Sequence, residues 1–290
     1  MAPENQRRIG TVFHETFSLS RPALNAVLRA LAEQRKTHSL FVHLREHTGL
    51  GTRYCKAMPR YARGSGLLHI ENDGLTTLGR YVFEKDIDLS YIGTQWLMHY
   101  HLSAPHGPGP LFWHLLVTRF LRPGDRVNSR TVARWIAEGL SQAGQQVPDE
   151  RALQSTATIF LGTYARSEGL EALGILRQLD NDRRKDASSY EVCVAESPTR
   201  WAFAYALADY WEHHYPNQVT IPLSELSQPG GLRSVFWLEQ GALMRLLQTL
   251  KSEGVLDVYR VAPPYQVVKH WDGKELFLER IYDRSRPEND

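Results

Sequence analysis

Apolar positions recur every three or four residues through most of this chain and alternate only in short stretches, so the pattern predicts a mainly α protein with small β hairpins. Leu24, Val27, Leu28 and Leu31 follow Ser20 and Pro22, a capping residue and a proline in the tolerated first turn, and set a first helix. Ser39 to Glu46 makes a second, with Leu40, Phe41 and Leu44 inward. Gly49 and Gly51 punctuate the turn into a third, within Thr48 to Leu68. Next, LLHIENDGLTTLG reads as two short strands around Asn72-Asp73-Gly74, where glycine accepts the positive φ of a tight turn. Three helices and then a hairpin is the order of a winged helix, placed at residues 10–86.

The middle, residues 87–178, reads as helical. Ile92, Trp96, Leu97 and Tyr100 give one amphipathic run, and Leu111, Phe112, Leu115, Leu116 and Phe120 another after the breaker PHGPGP. Asn128 or Ser129 caps a third helix carrying Val132, Trp135, Ile136 and Leu140, and QSTATIFLGTYA makes a fourth. The stretch QLDNDRRKDASS has charge without periodicity, so residues 179–199 are expected to be a linker. Beyond it, Trp201, Tyr205, Ala208 and Trp211 line a helix, Leu243, Leu246, Leu247 and Leu250 another from Leu238 to Glu253, and two alternating strands follow, Leu256 to Val261 and Tyr265 to His270. That order predicts a second winged helix at residues 200–282.

Charge changes the picture in one place. From Arg35 to Arg63 there are seven Lys or Arg against one acid, Glu46, in a chain whose formal net charge is only +2. Arg53, Lys56, Arg60 and Arg63 step by three, four and three, which at about 100° per residue gathers them within an arc of roughly 80°. Leu50, Tyr54, Met58, Tyr61 and Ala62 fall opposite. A helix-turn-helix uses its second helix in this way, one side packed and the other offering cations to phosphates and base edges. Pro59 interrupts the pattern and predicts a kink or a split, since it removes a backbone donor.

Composition and motifs mostly exclude. A chain of 290 residues with 42% hydrophobic and 23% charged residues is long enough for two or three folded domains. No apolar run approaches the roughly 18 residues of a membrane span, and the opening MAPENQRRIG lacks the apolar stretch of a secretory leader. Cys55 and Cys193 alone make neither a disulfide framework nor a zinc site, and they fit a cytoplasmic protein. There is no phosphate loop, GxGxxG or GxSxG elbow, so no cofactor or metal is expected. His14-Glu15 are neighbours whose side chains diverge in regular structure, which suits capping or packing rather than catalysis. His99, His101, His106 and His114 lack metal-ligand spacing and read as core or surface residues; His213-His214 read as a favourable contact at a helix C-terminus. Tyr54 and Tyr61 read as packing rather than base-stacking residues.

Several local patterns, taken in order, resemble a bacterial family catalogued only as a domain of unknown function. They are the opening Phe13-His14-Glu15-Thr16-Phe17, the helix bracketed by Gly49-Leu50-Gly51, Leu75-Thr76-Thr77-Leu78-Gly79, Gly93-Thr94-Gln95-Trp96-Leu97-Met98-His99-Tyr100, and Val235-Phe236-Trp237-Leu238 with the Leu-rich helix behind it. The resemblance spans Phe13 to Tyr282, and Pro59 departs from it. It implies genes lying beside DNA-modification defence genes, notably those of DNA phosphorothioation, and hence a part in marking or policing DNA against phage.

Taken together, these readings lead us to expect a non-enzymatic, double-stranded-DNA-binding protein of an antiviral defence system. Lys36, Arg45, Thr52, Arg53, Lys56, Arg60 and Arg63 are the expected DNA contacts, with Arg233, Arg245 and Lys251 as secondary ones. Other subunits of the same system are expected partners. The alternative is a protein-docking adaptor that recruits a modification or restriction enzyme; a nuclease built on His14 and Glu15 ranks third.

Overall fold

The computed structural model describes residues 8–33, 39–179, 188–194, 197–259 and 263–283. Among them are twelve α-helices and two three-stranded antiparallel sheets, the mainly helical class expected. Helices α1 (Arg21–Glu33), α2 (Leu40–His47) and α3 (Thr52–Gly64) pack on one another at the N-terminal end. Ser39 caps α2, its hydroxyl accepting from the Val42 amide at 3.4 Å. The turn into α3 needs Gly49, whose φ of +67° is costly for any side chain, and Gly51 sits at the cap. Pro59 lies inside α3 and the helix runs through it without the split in two that was one of the expectations. Its ring is buried beside Cys55, Met58 and Ala62, so the packed face of the helix offsets the lost backbone bond, worth about 3 kcal/mol or more in an unsupported helix.

The first expected hairpin is not formed. A single antiparallel bridge, Leu68 to Leu75, stands in for it, and the segment meant as its second strand becomes helix α4 (Thr77–Lys85). The reason is a cap: Thr76 Oγ1 accepts from the Gly79 amide at 2.9 Å and donates to the Gly66 carbonyl at 2.6 Å. Gly79 then lies against the Leu67 backbone, where a Cβ would stand 2.0 Å from the carbonyl oxygen.

Helix α5 (Ile92–Ser103) is buried from Gly93 to Ser103. Helix α6 (Leu111–Leu115) continues into a π-helical turn at Leu116–Phe120, and then come β1 (Arg126–Asn128), α7 (Ser129–Gln142), α8 (Glu150–Ala165), β2 (Leu176–Gln178) and β3 (Ser189–Val192). Asn128 is the cap of α7, accepting from the Thr131 amide at 3.0 Å. The sheet order is β1-β3-β2, with Val127 opposite Tyr190 and Arg177 opposite Glu191. The middle is therefore not purely helical, and part of the segment expected as a linker supplies its central strand.

The last third repeats that order. Helix α9 (Arg200–His214), β4 (Thr220–Pro222), α10 (Leu232–Val235), α11 (Gln240–Ser252), β5 (Leu256–Tyr259) and β6 (Gln266–Lys269) build a sheet ordered β4-β6-β5, and α12 (Glu275–Ile281) follows. Helices α5 and α9 pack together, and the buried apolar side chains form one cluster from Phe13 to Tyr282. At its centre His99 takes a proton on Nδ1 from Tyr164 Oη (2.7 Å) and gives one from Nε2 to the Val235 carbonyl (2.8 Å), with Trp96 and Phe236 against the ring. No described helix is long and apolar enough to cross a membrane.

Burial pulls His99, His101 and His114 down to about 4, so all three are neutral in the fold. Above pH 6.5 the unfolded chain holds them neutral too. As pH falls toward 4 the unfolded chain takes up protons that the fold refuses, and stability is lost at about 2 kcal/mol per ring by pH 5. Urea midpoints at pH 7.5 and pH 5 should therefore differ, the lower being at pH 5; equal midpoints contradict these neutral rings. Gly79→Ala should lower the unfolding free energy by about 1–3 kcal/mol, the cost of forcing a methyl into a closed contact, and an unchanged urea curve argues against the helix–backbone approach.

Candidate functional site

Helix α3 is rotated as its spacing predicts. Cys55, Met58, Tyr61 and Ala62 are buried, while Arg53 and Lys56 are exposed. Arg60 and Arg63 lie on the same ridge with their side chains 42% and 20% exposed, and both are already paired. Arg60 Nη1 donates to the Phe13 carbonyl and to Glu15 Oε1, each at 3.1 Å, and Arg63 Nη2 bonds Asp73. Arg45 reaches across from α2 to Thr52 Oγ1 at 3.0 Å, so those two contacts form one unit. Lys36 lies outside the described residues. Neither tyrosine is free for bases: Tyr61 is fully buried with its hydroxyl on the Phe17 carbonyl at 2.9 Å, and Tyr54 packs on the Phe17 ring with centroids 4.1 Å apart.

The ridge is held from behind by the Phe13–Phe17 turn. His14 is buried and neutral, desolvation drawing it down to about 4 against the opposing pull of Glu15. The Thr16 amide donates to its Nδ1 at 3.2 Å, so Nε2 carries the proton and gives it to Thr156 Oγ1 on α8 at 3.0 Å. Glu15 and Thr16 follow with φ of 49° and 73°. Two successive non-glycine residues in the left-handed region cost on the order of 1–3 kcal/mol each and persist only where surrounding contacts dictate them. His14 and Glu15 thus serve different neighbours, α8 and α3.

A second constellation lies between α5, α9 and the start of α12. Asp209 Oδ2 accepts from Tyr100 Oη (2.9 Å) and His106 Nε2 (2.9 Å), and Asp209 Oδ1 accepts from Lys274 Nζ at 2.6 Å. Lys274 also reaches Glu212 at 3.2 Å, His106 Nδ1 meets His214 Nε2 at 3.1 Å, and the His213 ring stacks on His106 at 4.3 Å. Burial opposes the Asp209 charge, but the His106 hydrogen bond and the Lys274 ammonium outweigh burial and hold the carboxyl well below its usual range. Burial likewise opposes the Lys274 ammonium and is outweighed by Asp209 and Glu212, which raise it. The group borders a half-open cavity of about 450 Å3 whose walls include Gly66, His101, Tyr205 and Glu275, and His101 Nε2 is buried there without a partner among the described residues. Among the described residues no three His, Cys, Asp or Glu are grouped to hold a metal ion.

The sequence model of one family matches residues 12–282. The chain belongs to that family, described as a protein of unknown function, DUF4007. No curated protein matches it. Its fold is similar to that of a magnesium ion-bound SspB crystal structure, at 19% identity over 97% of this chain and 91% of the other with a TM-score of 0.76. A further SspB crystal structure is similar at 20% identity over 98% and 91%, again with a TM-score of 0.76.

In this DUF4007 chain the expected secondary contacts lie on α10 and α11. Arg245 is exposed on α11, Arg233 donates to Gln240 Oε1 at 3.2 Å, and Lys251 pairs with Asp257 at 3.1 Å. Sequence reasoning missed the Asp209 constellation because its members come from four separate stretches of chain. The one signal available was the density of histidines at 99–114 and 213–214, which bear on each other here rather than on a helix dipole alone. Asp209→Ala leaves Lys274 and His106 without their acceptor. It should cost about 3–5 kcal/mol, as removing one partner of a buried ion pair does, and thermal melting at the wild-type temperature contradicts the constellation.

Proposed function

We propose that this protein binds double-stranded DNA through the cationic ridge of α3, as a non-enzymatic subunit of a bacterial DNA-modification-based defence system. The observation that carries the reading is the sorting of Arg53, Lys56, Arg60 and Arg63 onto one face while the opposite face is buried, in a chain otherwise slightly acidic. Helices α1–α3 have the order of a helix-turn-helix unit, with α3 as the recognition helix. The α9–β6 segment, with its last strand at the centre of the sheet, has the order of a winged helix, and the α6–β3 segment repeats it. The defence setting comes from the family resemblance in the ordered motifs, which implies neighbouring phosphorothioation genes and partner subunits. Arg45 and Thr52 flank the contact as a hydrogen-bonded pair, and of the secondary contacts Arg233 and Arg245 have no ion-pair partner among the described residues while Lys251 pairs with Asp257.

The pairing of Arg60 and Arg63 with acids refines the expected salt dependence. Four phosphates neutralised give a slope of log affinity against log salt of roughly −3.6, and two give roughly −1.8. A mobility-shift titration at several salt concentrations, with modified and unmodified duplexes, should fall between these values, and changing all four cations to alanine should abolish most of the slope. Binding that survives that quadruple change removes α3 from the interface.

A second reading has its own observation: the Asp209–His106–Lys274 constellation borders an open cavity, and one similar SspB structure holds magnesium. Metal-assisted cleavage of bound DNA is the chemistry it would serve. The non-enzymatic reading predicts that supercoiled plasmid stays intact with the protein and magnesium. Nicking that EDTA and Asp209→Asn both abolish replaces it.

A further inference from the structure

We propose that Glu15 is a positioning residue that presents the Arg60 guanidinium to a DNA phosphate. The inference rests on the DNA-binding reading above and adds to it a role for the strained turn. Arg60 is gripped by one edge only. Its Nη1 donates to both the Phe13 carbonyl and Glu15 Oε1, while Nη2 and Nε make no hydrogen bond to the described residues, and the side chain remains 42% exposed. A guanidinium is a planar fork, so fixing one nitrogen orients the donors that remain. They are left for an acceptor outside the protein.

The grip is itself immobilised. The Phe17 amide donates to the His14 carbonyl at 2.8 Å, the Thr16 amide donates to the His14 ring, and that ring is anchored on Thr156 of α8. On either side Phe13 stacks edge-on to Tyr61, with centroids 4.6 Å apart, and Phe17 packs on Tyr54. Both tyrosines belong to α3, so the turn that carries Glu15 and the helix that carries Arg60 are locked in register. The left-handed backbone at Glu15 and Thr16 is what turns the Glu15 carboxylate toward the helix. Arg63 differs: its partner Asp73 sits at the exposed Asn72–Gly74 turn, where the Asn72 side chain, not α3, holds the backbone.

Electrostatics and positioning predict opposite signs. A carboxylate beside a phosphate path repels it, so deleting the charge alone should tighten binding. If Glu15 instead pre-orders Arg60, deleting the side chain returns the entropy cost of immobilising a long cation to the binding step, and affinity falls about fivefold. Glu15→Gln removes the same charge but keeps an oxygen to accept from Arg60.

The test is fluorescence anisotropy on a labelled duplex of about two helical turns, with wild type, Glu15→Ala, Glu15→Gln, Arg60→Ala and the Glu15→Ala/Arg60→Ala double variant, each checked for an unchanged thermal melt. The expected result is a loss for Glu15→Ala, binding at or above the wild-type level for Glu15→Gln, and no additional loss from Glu15→Ala once Arg60 is gone. Glu15→Ala binding as tightly as wild type, or more tightly, overturns the proposal. So does an equal loss in the Arg60→Ala background, which makes the turn merely structural. A variant that melts early is judged by Glu15→Gln alone, whose loss of binding with an intact fold also overturns it. Wild-type protein that fails to bind the duplex overturns the DNA-binding reading, an outcome separate from any difference among the variants.

Discussion

The hydrogen bond from Tyr61 Oη to the Phe17 carbonyl, 2.9 Å long in a site closed to solvent, fixes the rotation of α3 about its own axis. Burial pushes the phenol far above its usual range, so it stays a donor at any working pH. With that rotation fixed, Cys55, Met58 and Ala62 are buried on the side where α3 packs on α1, α2 and α5, and Arg53, Lys56, Arg60 and Arg63 fall on the other. The cationic ridge is therefore a consequence of how the apolar side packs, and it survives Pro59 for the same reason.

The motifs that run through the chain are mostly devices of this packing. Gly79 permits α4 to touch the Leu67 backbone, and Thr76 caps that helix. His99, set among Trp96, Tyr164, Val235 and Phe236, makes a polar centre inside an aromatic core, with both of its ring nitrogens hydrogen-bonded. Thr94 bonds Tyr282 Oη at 2.8 Å and ties the first half of the chain to its end. The exception is the Phe13–Phe17 turn, which carries backbone strain and ends on a cation at the surface; strain of that kind gathers where a side chain has to be aimed.

Amphipathic helices were legible because a buried stripe leaves a 3.6-residue period, and α1, α2, α7 and α11 lie where that period places them; α9 was placed too, although it is buried on every side from Trp201 to Trp211. The first hairpin was not, because Leu-Thr-Thr-Leu-Gly alternates like a strand while its threonine acts as a cap, a choice settled by the Gly66 carbonyl opposite. The first sheet was missed as well: β1 and β3 are three and four residues long and meet from positions 126 and 191, too short and too distant to leave a local signal. At the site the ridge was legible in the spacing alone. Its acid partners were not, since Glu15 meets Arg60 across 45 residues of chain, and Asp209 meets Lys274 across 65.

The central claim is that α3 meets a polyanion, and Lys56, exposed at the middle of the ridge, reports on it directly. Lysine acetylation by a water-soluble reagent, followed by mass spectrometry with and without saturating duplex DNA, reads each ammonium separately. The account predicts that DNA shields Lys56 while Lys85 at the end of α4 and Lys269 on β6 react as before. Equal acetylation of Lys56 in both conditions, with protein and DNA demonstrably bound, contradicts it.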